Sequence, residues 1–191
     1  MAMEIELIDY TLGQMLEKWA KEEPNNDFMV YPDRGLRLTY AEFNDRVNQM
    51  AKGFMEIGVT KGSHVGIWAN NVPDWLTIMF ATAKIGAVLV TVNTNYKLAE
   101  LEYIIKNADL HTLCIIDGYR DSDYVSMVFE LVPELKNCQR GHLKSARFPE
   151  LKNVVFVGPQ KHRGMYNTPE LMALGSPVDD KVLDDAAKTF D

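Results

Sequence analysis

The sequence predicts an α/β fold in which a mainly parallel sheet lies between two layers of helices. Four short apolar runs carry this prediction, because strands that are buried on both faces have such continuous, β-branched sequences. Stretches with apolar residues at helical spacing separate the runs, and this alternation is typical of a parallel sheet. The predicted strands cover residues 65–69, 87–92, 113–116 and 154–157.

The amino-terminal part is predicted to contain two helices with a hairpin between them. Each helix start is marked by a capping-box pattern, in which a Thr is followed three residues later by Gln or Glu. The first helix begins after Thr11 and is ended by Pro24, because proline cannot continue a helix. The second begins after Thr39 and covers 41–57. Two short strands around the turn Pro-Asp-Arg-Gly at 32–35 form the hairpin.

The glycine-rich stretch GVTKGSHVG at 58–66 is similar to a phosphate-binding loop but does not have its spacing. Its three glycines lie four residues apart, whereas phosphate loops follow G-x-G-x-x-G or G-x-x-x-x-G-K-[ST]. The stretch also closes a helix and opens a strand, which is the reverse order. Gly58 is therefore predicted to end the helix in the left-handed conformation that glycine adopts without strain.

The segment 75–92 is apolar and long enough to suggest a membrane span, but it carries Lys84 at its middle. A lysine at the centre of a bilayer costs about 2.5 to 3.5 kcal/mol. Apolar residues continue at helical spacing up to Gly86, and a β-branched run begins at Ala87. The pattern therefore predicts a helix followed by a strand, and no transmembrane segment.

Composition narrows the class of function. The 191 residues carry a formal net charge of -7, which argues against nucleic-acid binding because phosphate contacts need clustered Lys and Arg. The locally basic runs at 34–37 and 161–163 are interpreted as solvated turns. Cys114 and Cys138 fit reduced thiols, and the amino terminus has no signal-peptide pattern. A cytoplasmic location is expected.

No metal or catalytic site can be assembled from spacing alone. The two cysteines match no metal-binding pattern, and the histidines at 64, 111, 142 and 162 are scattered. Asp117, Asp121 and Asp123 lack the order of a calcium-binding loop. No nucleophile, base and orienting group stand in a recognisable motif. The predicted catalytic, cofactor-binding and metal residues of this chain are therefore none.

Polar residues do follow the predicted strands, at 70–71, at 93–95 and at Asp117. Ligands of parallel sheets bind beyond the carboxyl ends of the strands. Asp117 fits a phosphoacceptor or a cation ligand in a receiver-like domain, but the pair Asp-Gly also forms turns by itself. We favour the turn.

An ordered set of segments resembles the amino-terminal part of acyl-adenylate-forming enzymes, especially fatty-acyl-CoA synthetases. In chain order the segments are TYAEF, KGSHVGI, AKIGAV and NTNYKLAELEY. Each is generic by itself, but their joint order is specific, and the resemblance covers about residues 11–158. FPELKNVVFVG and RGMYNTPELMALG continue it more loosely.

The resemblance implies an enzyme that adenylates a carboxylic acid, here a fatty acid, with ATP and Mg²⁺ and then passes the acyl group to CoA. In that family a Ser/Thr/Gly-rich loop ending in Pro-Lys-Gly holds ATP, an acidic residue holds the ribose, and a late lysine promotes adenylation. None of these has a counterpart here, and the chain stops at Asp191, about where the loop is expected to start. The chain therefore resembles an amino-terminal fragment, inactive by itself and without a bound cofactor.

Three parts are expected: a helix-hairpin-helix segment at 1–60, a parallel α/β core at 61–160, and a helical or disordered tail at 161–191. In the resembled family the first part associates with a later subdomain, so the 41–57 helix is expected to lie loosely against the sheet. Uncovered apolar faces are expected to drive self-association. The alternative hypothesis is a free-standing flavodoxin-like or receiver-like binding module.

Overall fold

The structure is a computed structural model that describes residues 9–188. In chain order its strands are β1 (Asp27–Tyr31), β2 (Leu36–Thr39), β3 (His64–Trp68), β4 (Val88–Thr91), β5 (Leu110–Ile115), β6 (Gly118–Tyr119), β7 (Ser122–Asp123), β8 (Asn153–Phe156) and β9 (Tyr166–Asn167). Its α-helices are α1 (Leu12–Glu22), α2 (Tyr40–Glu56), α3 (Pro73–Lys84), α4 (Leu98–Asn107), α5 (Tyr124–Leu131), α6 (Thr168–Gly175) and α7 (Asp180–Ala187).

A five-stranded parallel sheet forms the centre of the molecule, in the order β4-β3-β5-β8-β9. All four predicted strands are present, and the mainly parallel α/β fold is confirmed. β5 begins earlier than predicted, at Leu110. The fifth strand, β9, comes from the segment expected to be a tail. A two-residue strand has no periodicity, so the sequence gives no signal for it.

Helices cover both faces of this sheet. α3 connects β3 to β4, whereas α4 connects β4 to β5 in the opposite direction across the sheet. Right-handed crossovers therefore place α3 and α4 on opposite faces. We call α1, α2, α3, α6 and α7, which pack on one another, the α2 layer, and we call α4 and α5 the α4 layer.

The α2 helix is packed tightly, and the expectation that it lies loosely is wrong. A β carbon on Gly53 would lie 2.1 Å from the carbonyl oxygen of Leu171, and one on Gly175 would lie 2.1 Å from that of Gln49. Only glycine fits at either position, so the backbones of α2 and α6 come into direct contact. α6 supplies the partner surface, which no local pattern in the sequence reveals. The buried apolar residues of α2 are Phe43, Val47, Met50, Ala51 and Phe54.

The predicted ends of the helices are confirmed. Thr11 and Thr39 each form a complete capping box at the starts of α1 and α2. Gly58 follows α2 with a φ of 88°, in the left-handed region predicted for it. β1 and β2 pair antiparallel around Gly35, as predicted for the hairpin.

Lys84 is buried at the end of α3 and joins three helices of the α2 layer. Its Nζ donates to Glu17 Oε1 at 2.6 Å, to Asn44 Oδ1 at 2.9 Å and to Asn48 Oδ1 at 2.8 Å. Burial lowers the pKa of Lys84, and the hydrogen bond to Glu17 partly offsets this effect. The helix and strand predicted around Lys84 are α3 and β4, and no described helix is long and apolar enough to span a bilayer.

Candidate functional site at the carboxyl edge of the sheet

The carboxyl ends of the parallel strands meet at one edge of the sheet, which we call the carboxyl edge. The loops that begin there follow β3 at Ala69, β4 at Val92, β5 at Ile116 and β8 at Val157. They contain the polar residues that the sequence singled out, at 70–71, 93–95 and 117. Loops in this position form the ligand sites of parallel α/β proteins.

A stacked pair of aromatic rings fixes three of these loops to one another. The rings of Trp68 and Tyr124 lie 3.5 Å apart between centroids and 7° from parallel. Trp68 Nε1 donates to the carbonyl oxygen of Asn93 at 3.0 Å, and Tyr124 Oη donates to that of Thr94 at 2.6 Å. Desolvation raises the pKa of Tyr124 to about 12, so its phenol keeps the proton that it donates. Two successive carbonyl groups of the 93–95 loop are therefore anchored to the stacked rings.

Asp117 forms the turn that we favoured from the sequence. Its Oδ1 accepts from the backbone N–H of Gly118 at 2.9 Å, and its carbonyl oxygen accepts from the N–H of Tyr124 at 3.0 Å. The two nearby aspartates are engaged elsewhere: Asp121 binds Lys97, and Asp123 caps α5 through Ser126. Across residues 9–188, no three His, Cys, Asp or Glu side chains gather as a metal site.

A cavity of about 450 Å³ opens between the start of α4, the β6-β7 hairpin and α5. Lys97 lies at its wall, where Nζ donates to Asp121 Oδ1 at 3.1 Å and to Ser122 Oγ at 2.6 Å. The hydrogen bond from Lys97 lowers the pKa of Asp121. These groups can orient a polar ligand. They include no base placed to activate a nucleophile.

The cysteine thiols are not activated. Cys114 lies fully buried in β5, and desolvation raises its pKa well above the ordinary value. Desolvation also raises the pKa of the half-buried Cys138. Neither thiol forms a disulfide, and neither is held as the thiolate that nucleophilic catalysis requires.

A second polar cluster near the carboxyl edge was missed by the sequence analysis. Asp74, in the first turn of α3, accepts from Arg46 of α2 at 2.6 Å and from Thr168 Oγ1 of α6 at 2.8 Å. The same Thr168 hydroxyl accepts from the N–H of Gly158, in the loop after β8, at 3.2 Å. Asp74 and Thr168 are 94 positions apart, so only the fold brings them together.

Comparisons with known proteins point to one group. A family model described as "AMP-binding enzyme" matches residues 16–178. A putative acyl-CoA synthetase of Bacillus subtilis is 46% identical over 97% of this chain. The mitochondrial medium-chain acyl-CoA ligase of Homo sapiens is 35% identical over 77% of it.

Solved structures show the same fold at low identity. The chain matches an anthranilate CoA ligase in complex with anthranoyl-AMP at a TM-score of 0.71 and 20% identity, over 91% of this chain and 30% of that one. It matches a putative long-chain-fatty-acid CoA ligase of Rhodopseudomonas palustris at a TM-score of 0.68 and 23% identity, over 87% and 37%. The chain spans only 34% of the Bacillus relative and 24% of the human one.

Proposed function

Because the chain belongs to the family of AMP-binding enzymes, we propose that it is the amino-terminal portion of an AMP-forming acyl-CoA synthetase. The observation that carries the proposal is the 46% identity to a putative acyl-CoA synthetase over 97% of this chain. The match to the fold of CoA ligases supports it. The alternative of a free-standing binding module has no comparable support.

The reaction proposed for the parent chain has two steps. The carboxylate of a fatty acid attacks the α-phosphorus of ATP, which releases pyrophosphate and leaves an acyl adenylate. The thiol of CoA then attacks the acyl carbon, and AMP leaves with the bonding electron pair. A carboxylate is a poor electrophile until AMP becomes its leaving group, and Mg²⁺ is proposed to offset the charge of the phosphates.

The contribution proposed for this chain is structural. Its parallel sheet, and the loops that Trp68 and Tyr124 hold at the carboxyl edge, are the scaffold on which the rest of the enzyme assembles. The family's phosphate loop, ribose-binding acid and adenylating lysine have no counterpart in the 191 residues. Transition-state stabilisation in such chemistry comes almost entirely from positioned donors and cations. We therefore propose that the chain by itself is inactive and lacks the sites at which the whole enzyme binds ATP and CoA.

The test compares residues 1–191 with the gene product extended to its natural carboxyl terminus. We expect the short chain to give no ATP–pyrophosphate exchange with any fatty acid and no measurable ATP binding by calorimetry. The extended protein is expected to show exchange that depends on the fatty acid and to form CoA thioesters. Absence of adenylate formation by the extended protein, with short, medium and long acids, would contradict the proposal.

We also propose a cytoplasmic location, where the two free thiols remain reduced. We further propose that the isolated chain self-associates. The outer edge of β4 is not paired within residues 9–188, and Val88 on this strand is 45% exposed. An apolar edge strand that has no charged side chain to prevent pairing readily pairs with a strand of another chain. We expect sedimentation to show oligomers that Val88→Lys dissociates. A clean monomer at high protein concentration would contradict this.

A further inference from the structure

A groove with a volume of about 610 Å³ lies beside β9. Two loops line it, one at 138–140 and the other at 162–166. The second loop contains most of the basic run that we interpreted from the sequence as a solvated turn. Arg140, from the first loop, also lines the groove. It is more than 20 positions away in the sequence, so no local pattern predicts this.

Two arginines line this groove, a lysine precedes its second loop, and one of the three cations has no ionic partner among the described residues. Arg140 Nη1 lies 2.6 Å from Glu170 Oε1, and Lys161 Nζ lies 3.6 Å from the same oxygen. Arg163 makes no ion pair with any residue that the structure describes. Glu134 is a further carboxylate near the groove, since it and Arg163 both act on the Cys138 thiol, with opposite charges. Asp123 also lies close enough to His162 to interact with it. The surplus of positive charge is therefore local to Arg163, which is the cation without a carboxylate partner in the described part of the chain.

His162 gives a second, independent observation, since one of its ring nitrogens is buried and unpaired within the part of the chain that the structure describes. Its ring lies 4.5 Å from that of Phe156 between centroids, and its Nε2 is buried without a hydrogen-bond partner in residues 9–188. A buried nitrogen that has lost water without gaining a partner is unfavourable. After a small rotation of the ring, this nitrogen would donate a hydrogen bond to an oxyanion in the groove.

The other side of the groove is apolar. Leu174, in the last turn of α6, is 41% exposed. The guanidinium of Arg140 lies over the ring of Tyr166, 5.8 Å from its centroid. A ligand that fits both sides has a compact anionic group and an apolar body. Free guanidinium groups select phosphate oxygens, because their N–H fork matches two of them at once.

We propose that this groove binds the phosphate group of a small phosphomonoester, with Arg163 as the phosphate-binding residue, Arg140 beside it in its ion pair with Glu170, and Leu174 under the apolar body. The residues concerned all lie in this chain, so the inference does not depend on the proposed function. If the groove binds no phosphate, the proposed function is unaffected, and if the proposed function is wrong, the phosphate site is unaffected.

The test is calorimetric titration of the 191-residue chain with phenyl phosphate and, separately, with inorganic phosphate. We expect saturable binding of both, tighter for phenyl phosphate because its ring lies on the apolar side. Arg163→Gln should weaken phenyl phosphate binding about tenfold or more, as expected for a lost hydrogen bond between charged groups. Arg34→Gln, in the other basic run, is the matched control and should leave binding unchanged.

Circular dichroism of both variants checks that each is folded, which we expect because Arg163 is exposed and unpaired. Equal weakening by the two variants would show nonspecific attraction to basic turns and overturn the site. Absence of saturable binding to the wild-type chain would overturn it as well. Inorganic phosphate binding as tightly as phenyl phosphate would overturn the proposal of a phosphomonoester, because the apolar side of the groove would then contribute nothing.

Discussion

The two helical layers differ in how they are held. In the α2 layer, contacts join distant parts of the chain: Gly53 meets α6, and Lys52 of α2 donates to the carbonyl oxygen of Val178 at 2.8 Å. In the α4 layer, Glu102 binds Lys106 one turn away and Arg147 in an exposed loop, and these side chains stay in contact with water. Substitutions in the first layer are therefore expected to affect the whole fold, and those in the second mainly local groups.

The largest effect is expected at the crossing of α2 and α6. Gly53→Ala places a methyl group 2.1 Å from the carbonyl oxygen of Leu171, and backbone cannot move aside as a flexible side chain does. Overpacking of this kind costs about 3 kcal/mol of the free energy of unfolding. Urea denaturation of the wild type and the variant measures the loss.

Gly13→Ala in α1 is the matched control for this crossing. There the added β carbon meets the side-chain Cγ of Lys84 at 2.9 Å rather than backbone. We expect a smaller loss, because a side-chain carbon can yield more than backbone can, even though three hydrogen bonds hold the end of Lys84. If Gly13→Ala and Gly53→Ala destabilise the protein equally, the tight backbone contact does not hold the α2 layer.

The next effect is expected at Lys84. Lys84→Met removes the donor that joins Glu17, Asn44 and Asn48, and we expect a loss of about 2 kcal/mol in the free energy of unfolding at neutral pH. Lys144→Met, at an exposed lysine, is the control and should change the stability little.

The pH dependence of the same pair of proteins tests the burial of the charge. Burial lowers the pKa of folded Lys84 below the ordinary 10.5, so between those two values the unfolded chain binds more protons. The stability of the wild type relative to Lys84→Met is therefore expected to rise with pH in that window. Urea denaturation at a series of alkaline pH values measures the difference, and a flat or falling difference would mean that the charge is not buried.

The sequence predicted what has a local pattern and missed what does not. The capping box at Thr39 and the left-handed Gly58 were found because each depends on a few neighbouring residues. β9 and the packing of α6 on α2 were missed, since a two-residue strand has no period and glycine contacts leave no apolar stripe. The looseness expected for α2 followed from assigning its partner surface to a later subdomain.

The candidate site shows the same limit. The polar loops at the carboxyl edge were predicted, because parallel strands necessarily gather their ends. The stack of Trp68 on Tyr124 was not, since the residues are 56 positions apart and each fits an ordinary core position. The Asp74–Thr168 bond was missed for the same reason.

A smaller effect is expected where the α4 layer meets the carboxyl edge. Tyr124→Phe keeps the stack on Trp68 but removes the hydrogen bond to the carbonyl oxygen of Thr94. We expect a loss of about 1 kcal/mol in the free energy of unfolding and faster amide exchange in the 93–95 loop. Tyr103→Phe, at a residue that is 64% exposed, is the control. Equal effects of the two substitutions would show that the bond does not fix the loop.

The smallest effect on the fold is expected at the exposed ion pair of the α4 layer. The hydrogen bonds from Arg147 and then from Lys106 lower the pKa of Glu102 to about 2, from an ordinary value of 4.5. Because the folded pKa is depressed, the pair's contribution to stability is present above pH 4.5 and is lost as the pH falls toward 2. Arg147→Gln should raise the pKa of Glu102, measured by NMR titration of its carboxyl carbon, more than Lys106→Gln does. The stability at neutral pH should change little, as is usual for exposed pairs. A larger loss of stability here than at Gly53 would reverse the contrast between the two layers.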